Sequence, residues 1–330
     1  MKLIMFSVRE DEKTAIKEWE VRHNVEVTTV SEDLSLANVD LVEGFDGLSI
    51  QQVTELPEEA IYKKLAAFGI KQISLRTAGY DIINAEMAKK YKLTITNVPA
   101  YSPRSVAELV LTQTMRLIRH FPTLEAHMAH GDFRWRGLVA REIHTLTIGI
   151  IGAGKIGSTA ARLFHALGAE VIAYDPVRRE ELEDILTYKD SQREVLEAAD
   201  VISLHVPLDP STLQIIDAEA LSQMKPEAYI INAARGPVVD TQALIKALDS
   251  GKIAGAALDT LTNEQGIFNQ DVRNQDLPED FKLLMEMDNV LITPHIGFYT
   301  TEAVRNMVDI GLDNTVAILL NGTSKNEVLL

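Results

Sequence analysis

A chain of 330 residues, 46% apolar and 24% charged, exceeds what one hydrophobic core usually serves and points to two globular domains. Its formal net charge of −16 excludes a polyanionic partner such as nucleic acid, which needs a concentrated basic surface. The lack of cysteine excludes disulfides, thiolate nucleophiles and cysteine metal sites, and it suits a reducing cytoplasm.

The opening "MKLIMFSVREDEK" has too short an apolar run for a signal peptide and reads as a buried first strand. No run reaches the length of a membrane span, so the expected location is the cytoplasm. Short apolar runs then alternate with amphipathic stretches, the mark of βαβ units and a parallel sheet. "KLIMFSV", "VEVTTV", "DGLSI", "QISLR" and "LTITNVP" are predicted strands, with helices in "REDEKTAIKEWEVRH", "IYKKLAAFG" and "INAEMAKKYK". This first region closes near Pro99.

From "YSPRSVAELVLTQTMRLIRHF" the pattern predicts one long helix, with Ser102 as N-cap and Pro103 in its first turn. Val106, Leu109, Val110, Leu111, Met115, Leu117 and Ile118 make it apolar on more than one side, as in a helix buried between domains or subunits. A second alternating series starts at "TLTIGIIGAGKIG" and continues through strands "EVIAYD", "DVISLHVP", "AYIINAA", "IAGAALD" and "NVLITP". The segment "TTEAVRNMVDIGLDNTVAILL" is a helix beyond that sheet, expected to return to the first domain.

Gly152, Gly154 and Gly157 form G-x-G-x-x-G between a buried strand and a good helix, and Asp175 ends the next strand 18 residues after Gly157. These are the parts of a dinucleotide fold: a tight turn, close backbone approach to a pyrophosphate, close strand–helix packing and an acid for the ribose. A glycine-bearing turn with no nucleotide is the alternative reading. Asp175 would repel a 2′-phosphate and favour NAD over NADP. Arg178 and Arg179, close behind, either weaken that preference or form a solvated helix start.

In such sheets ligands meet the carboxyl ends of the strands. Those ends supply Arg235 in "INAARG", Asp259 and Glu264 in "LDTLTNE", and His295 in "LITPH". An arginine fork suits a carboxylate, and a histidine gives and takes a proton near neutral pH. A glutamate on the far imidazole nitrogen fixes the tautomer. With NAD, the set is complete for hydride transfer to a 2-oxo acid without a metal. His127 and His130, three apart, lack a third ligand and read as solvated; His205 reads as structural or as a cleft wall. Trp135 between two arginines reads as a subunit contact or cleft edge.

The motifs "REDEK", "ITNVPAYSP", "GAGKIG", "VIAYDP", "DVISLHVP", "INAARG", "LDSGKI" and "TPHIGFYTTEAVRNMV" resemble those of the D-isomer-specific 2-hydroxyacid dehydrogenase family, over nearly the whole chain. Within the family they look most like the D-lactate branch. The resemblance implies two doubly wound parallel-sheet α/β domains with a cleft between them. One is a flavodoxin-like substrate domain of residues 1–100 completed by 300–330; the other is a Rossmann NAD-binding domain of residues 101–299. It implies reversible hydride transfer between NADH and pyruvate giving D-lactate, with a D-2-hydroxyisocaproate-type enzyme for larger 2-oxo acids as the alternative. A dinucleotide-gated protein-binding module is the reading from another class.

By the same resemblance, Arg235 binds the substrate carboxylate and carbonyl, His295 is the acid/base and Glu264 its partner. The backbone of Ala78 and Gly79 makes a carboxylate-binding turn, and Tyr101 and Tyr299 line the pocket. Cofactor contacts are Gly152, Gly154, Lys155, Ile156, Gly157, Asp175, Val206, Pro207, Ala233, Ala234 and Asp259. The implied partners are a small 2-oxo or D-2-hydroxy acid and a second subunit docked on the long helix after Tyr101. Two departures stand out: Lys155 replaces a frequent histidine, and "SIQQ" lacks the aromatic residue the branch tends to carry before its two glutamines, which predicts a wider pocket.

Overall fold

Apolar runs of four or five residues are too brief for ordinary helices and too apolar for solvent, and nearly all of them become strands buried in parallel sheets. The computed structural model describes residues 1–52 and 54–330. Its contacts gather the chain into two units, Met1–Ser102 with Tyr299–Leu330, and Pro103–Phe298.

The first unit begins with β1 (Lys2–Met5), α1 (Lys13–His23), β2 (Glu26–Thr29) and β3 (Gly47–Ile50). It continues with α2 (Glu59–Ala67), β4 (Gln72–Leu75), α3 (Ala85–Lys90) and β5 (Thr94–Thr96). The five strands pair in parallel in the order β2-β1-β3-β4-β5, a flavodoxin-like winding. Alternation along each strand sends side chains to two faces. Ile4, Leu48, Ile50, Ile73 and Ile95 meet Ile61, Tyr62 and Leu65 of α2 on one face. Ile50, the residue before the two glutamines, is fully buried there.

The second unit opens with α4 (Pro103–Ile118) and α5 (Phe121–Ala129). One helix through Phe121 was expected. Instead His120 adopts φ 53° and Pro122 lies in the first turn of α5, so the helix ends and restarts. Then come β6 (Thr147–Ile151), α6 (Lys155–Ala166), β7 (Glu170–Tyr174), β8 (Thr187–Tyr188), α7 (Gln192–Ala198) and β9 (Val201–Leu204). α8 (Ala218–Gln223), β10 (Tyr229–Asn232), α9 (Thr241–Asp249), β11 (Gly255–Leu258), α10 (Glu279–Glu286) and β12 (Val290–Ile292) complete it. The seven parallel strands run β12-β11-β10-β9-β6-β7-β8. The two-residue β8 has no counterpart in the sequence reading. Neighbouring residues feed opposite faces: Ile230, Ala256 and Leu258 pack towards α8, α9 and α10, whereas Ile231, Ala257 and Leu291 pack with α4 and α6. The strand order reverses direction between β6 and β9, which is where ligands meet such a sheet.

The final helix α11 (Thr301–Asn321) returns to the first unit, where Val308 and Leu312 pack with Leu3, Met5 and Trp19. Its seam with the sheet is partly polar: Ser74 Oγ donates to the Gly311 carbonyl at 2.7 Å. A Cβ at Gly311 would stand 2.9 Å from Arg76 Cγ. Arg76 is fully buried, and its Nε donates to Glu12 Oε1 at 2.9 Å while a terminal nitrogen donates to the Phe6 carbonyl at 3.0 Å. No helix among the described residues is long and apolar enough to cross a membrane.

Candidate active site

The glycine turn joins β6 to α6, and each glycine has its own reason. Gly152 takes φ +92°, and a Cβ on it would press on the His205 carbonyl at 2.8 Å. A Cβ on Gly157 would lie 2.0 Å from the Gly152 carbonyl oxygen, so only glycine lets helix and strand approach. Around Gly154 the space is open, and this residue caps α6 without offering a side-chain acceptor. Helix N–H groups are therefore left facing open space, which suits a pyrophosphate. Asp175, just after β7, accepts from Ala153 N–H at 2.7 Å and from Val177 N–H at 2.8 Å. It ties the turn to the strand where a ribose would sit. A dinucleotide fits this cradle.

The expected cofactor residues fall at the carboxyl ends of adjacent strands. Gly152, Gly154, Lys155, Ile156 and Gly157 follow β6, and Asp175 follows β7; Val206 and Pro207 follow β9, Ala233 and Ala234 follow β10, and Asp259 follows β11. Lys155 is exposed and Ala234 is buried. Asp259 does something the sequence did not reveal. Its Oδ1 accepts from Thr293 Oγ1 at 2.5 Å and Ile296 N–H at 2.9 Å, and its Oδ2 accepts from Gly297 N–H at 2.8 Å. Gln113 of α4 adds a bond to Thr293 Oγ1 at 3.0 Å. The only legible hint was an acid closing "GAALD" one strand away from "TPHIG".

Those bonds grip the backbone that carries His295. The histidine follows β12, takes φ 55°, and places Nδ1 2.6 Å from Glu264 Oε1. The other oxygen of Glu264 accepts from Leu261 N–H at 2.8 Å, which fixes the carboxylate. With Nδ1 turned to Glu264, Nε2 is the nitrogen left for a substrate. Arg235 follows β10, donates one bond to the Ala234 carbonyl at 2.8 Å, and meets no carboxylate among the described residues. Gly236 beside it leaves no room for a side chain, since a Cβ there would overlap Leu261 at 2.1 Å. Three adjacent strands, β10, β11 and β12, thus deliver Arg235, Glu264 and His295 to one sheet edge.

In the first unit, Ala78 and Gly79 follow β4. Asn97 Nδ2 donates to the Ala78 carbonyl at 2.6 Å and Thr77 Oγ1 to the Gly79 carbonyl at 2.7 Å, and the N–H groups of both residues carry no bond among the described residues. Tyr101 accepts at its carbonyl from Asn306 Nδ2 at 2.6 Å. Tyr299 lies beneath the Arg9 guanidinium, 5.8 Å from the ring centre. Burial, and after it the Asp11 carboxylate, raises its phenol above the ordinary range. "REDEK" thereby reaches Tyr299, a link the sequence hid.

His205 Nε2 lies 2.8 Å from Ser203 Oγ, its Nδ1 is buried without a partner, and burial pushes the imidazole down to about 4. His130 Nδ1 is 2.9 Å from its own helix's Ala126 carbonyl. No group of three or more acidic or histidine side chains among the described residues is placed to hold a metal.

Residues 111–297 match the family described as "D-isomer specific 2-hydroxyacid dehydrogenase, NAD binding domain". The chain is 45% identical to a D-lactate/D-glycerate dehydrogenase of Pediococcus acidilactici over 99% of both proteins. A solved D-lactate dehydrogenase from Sporolactobacillus sp is 57% identical, with a TM-score of 0.89 over 99% of each chain. The D-lactate dehydrogenase of Lactobacillus jensenii, solved with NAD+, is 44% identical with a TM-score of 0.91 over the whole of both chains.

Proposed function

From the premise that this chain belongs to the D-isomer specific 2-hydroxyacid dehydrogenase family, we propose that it is an NAD-dependent D-lactate dehydrogenase that reduces pyruvate. One observation carries the reading: His295 and Glu264 pair at 2.6 Å in the same sheet as a glycine turn built for a dinucleotide. Bound NADH supplies the hydride that the carbonyl carbon receives. Arg235 presents its guanidinium to the substrate carboxylate and carbonyl oxygen, where a planar fork gives two parallel charge-assisted bonds. His295 donates the proton from Nε2 to the carbonyl oxygen, and Glu264 holds the ring in the required tautomer.

Asp259 and Thr293 act one step behind, fixing the turn on which His295 stands. The free N–H groups of Ala78 and Gly79 suit a carboxylate, and Tyr101 and Tyr299 are the candidate contacts for the substrate side chain. Asp175 holds the ribose hydroxyls and favours NADH over NADPH. The working form is a cytoplasmic homodimer. The dimer's support is the exposed apolar strip after α5, with Phe133 70%, Trp135 81% and Val139 87% exposed.

The test is NADH oxidation with pyruvate, hydroxypyruvate, 2-oxobutyrate and 2-oxoisocaproate side by side, with the chirality of the product determined. Turnover of pyruvate to D-lactate with activity on 2-oxobutyrate is expected. Inactivity on pyruvate with good turnover of 2-oxoisocaproate would move the substrate class to larger acids, and inactivity on all four would overturn the enzymatic reading.

A further inference from the structure

Two arginines follow the ribose acid, and the structure treats them differently. Arg179 is built into the turn: its guanidinium donates to the Ala153 carbonyl at 2.5 Å and lies 4.0 Å from Asp175 Oδ2. Its own N–H donates to the Tyr188 hydroxyl at 3.2 Å. Arg178 is the freer cation. Its guanidinium is drawn away from β7 by β8 and the residues directly after it. It donates to Asp190 Oδ1 at 2.5 Å and the Lys189 carbonyl at 3.3 Å, and it lies 5.9 Å from the centre of the Tyr188 ring.

Tyr188 at the end of the two-residue edge strand β8 and the two residues after it, Lys189 and Asp190, therefore hold one guanidinium together. An arginine three residues after the ribose acid is well placed to neutralise a 2′-phosphate. Held against Asp190, it is already neutralised.

We propose that Asp190 is a cofactor-discriminating residue acting through Arg178. By occupying the guanidinium, it keeps the 2′-phosphate of NADPH unpaired, while NADH, lacking that group, is unaffected. Asp190 thus sharpens the discrimination that Asp175 begins. The inference rests on the dinucleotide reading of the glycine turn.

Side chains at this pair are largely exposed, 53% for Arg178 and 85% for Asp190, so the effect belongs to the modest class of surface ion pairs. The experiment is equilibrium titration of NADH and NADPH by fluorescence, at low and high salt, for the unmodified protein, Asp190→Asn, Arg178→Gln and the double variant. Asp190→Asn is expected to tighten NADPH about three- to fivefold at low salt with NADH unchanged. The gain should shrink at high salt and vanish in the double variant. An NADPH affinity unmoved by Asp190→Asn, or a gain that persists without Arg178, overturns the proposal. Absence of NADH binding by the unmodified protein would instead overturn the dinucleotide reading beneath it.

Discussion

His295 stands in the left-handed region, at φ 55°, where asparagine is among the better-tolerated residues and a bulky or β-branched one is strained. His295→Asn is therefore a cleaner test of chemistry than a substitution that also disturbs the turn. We expect kcat for pyruvate reduction to fall by about a hundred- to ten-thousandfold with NADH affinity retained; a loss below tenfold would remove the histidine from proton transfer. His205 predicts something different. Its folded pKa of about 4 lies below the unfolded value of about 6.5, so between those values the unfolded chain binds more protons. Stability should thus fall as pH drops from about 6.5 to about 4 and level off below. His205→Gln should flatten that slope by up to one proton in urea unfolding, and an unchanged slope would show that the ring is not held neutral. Arg235, Glu264 and His295 were legible because strand ends can be read from apolar runs. Asp259's grip on the histidine turn was not, since a hydrogen bond between residues 37 apart leaves no local pattern.

At the level of elements, period and length found most strands and missed what depends on one backbone angle or one edge. The restart at His120 was hidden because the apolar period continues through it; only Pro122 marked a boundary. β8 was missed because two residues make no period. The seam between α11 and its sheet also lies outside patterning, as Arg76 and Glu12 look like surface charges in the sequence and are both fully buried. Glu12→Gln removes the charge opposite a buried guanidinium, at a cost of about 3–5 kcal/mol to the first unit. Replacing both by apolar residues of similar volume should restore much of it. Hydrogen exchange of the β1 and β4 amides reads both outcomes, and unaltered protection in Glu12→Gln would show that water reaches the arginine.

For the whole molecule, composition pointed to two cores and the chain forms two units, the first assembled from segments at both ends. Its winding followed from alternating strands and helices, since parallel strands need crossover connections. In the sequence, self-association was read from an overly apolar helix and from Trp135 between two arginines, because an interface looks like a core until exposure is known. Phe133 and Trp135 are exposed, and the proposed dimer is tested there. Phe133→Glu with Trp135→Glu is expected to convert a dimer to a monomer in sedimentation equilibrium, and a dimer that survives both changes would place the interface elsewhere.

The return of α11 also sets an order of events during synthesis. Trp19 Nε1 donates to Asp313 Oδ1 across 294 residues, and Ser74 to Gly311 across 237. At about 5–20 residues per second, the first strands wait roughly 15–60 s for the helix that covers them. All of residues 103–298 emerge in that interval, and they gather as a unit of their own. The middle of the chain is then expected to fold before the beginning. On stalled nascent chains that stop short of α11, a protease should cut the N-terminal third while sparing the seven-stranded sheet. Translation speed and early chaperone capture would in consequence act on the N-terminal third of the protein and leave its centre indifferent.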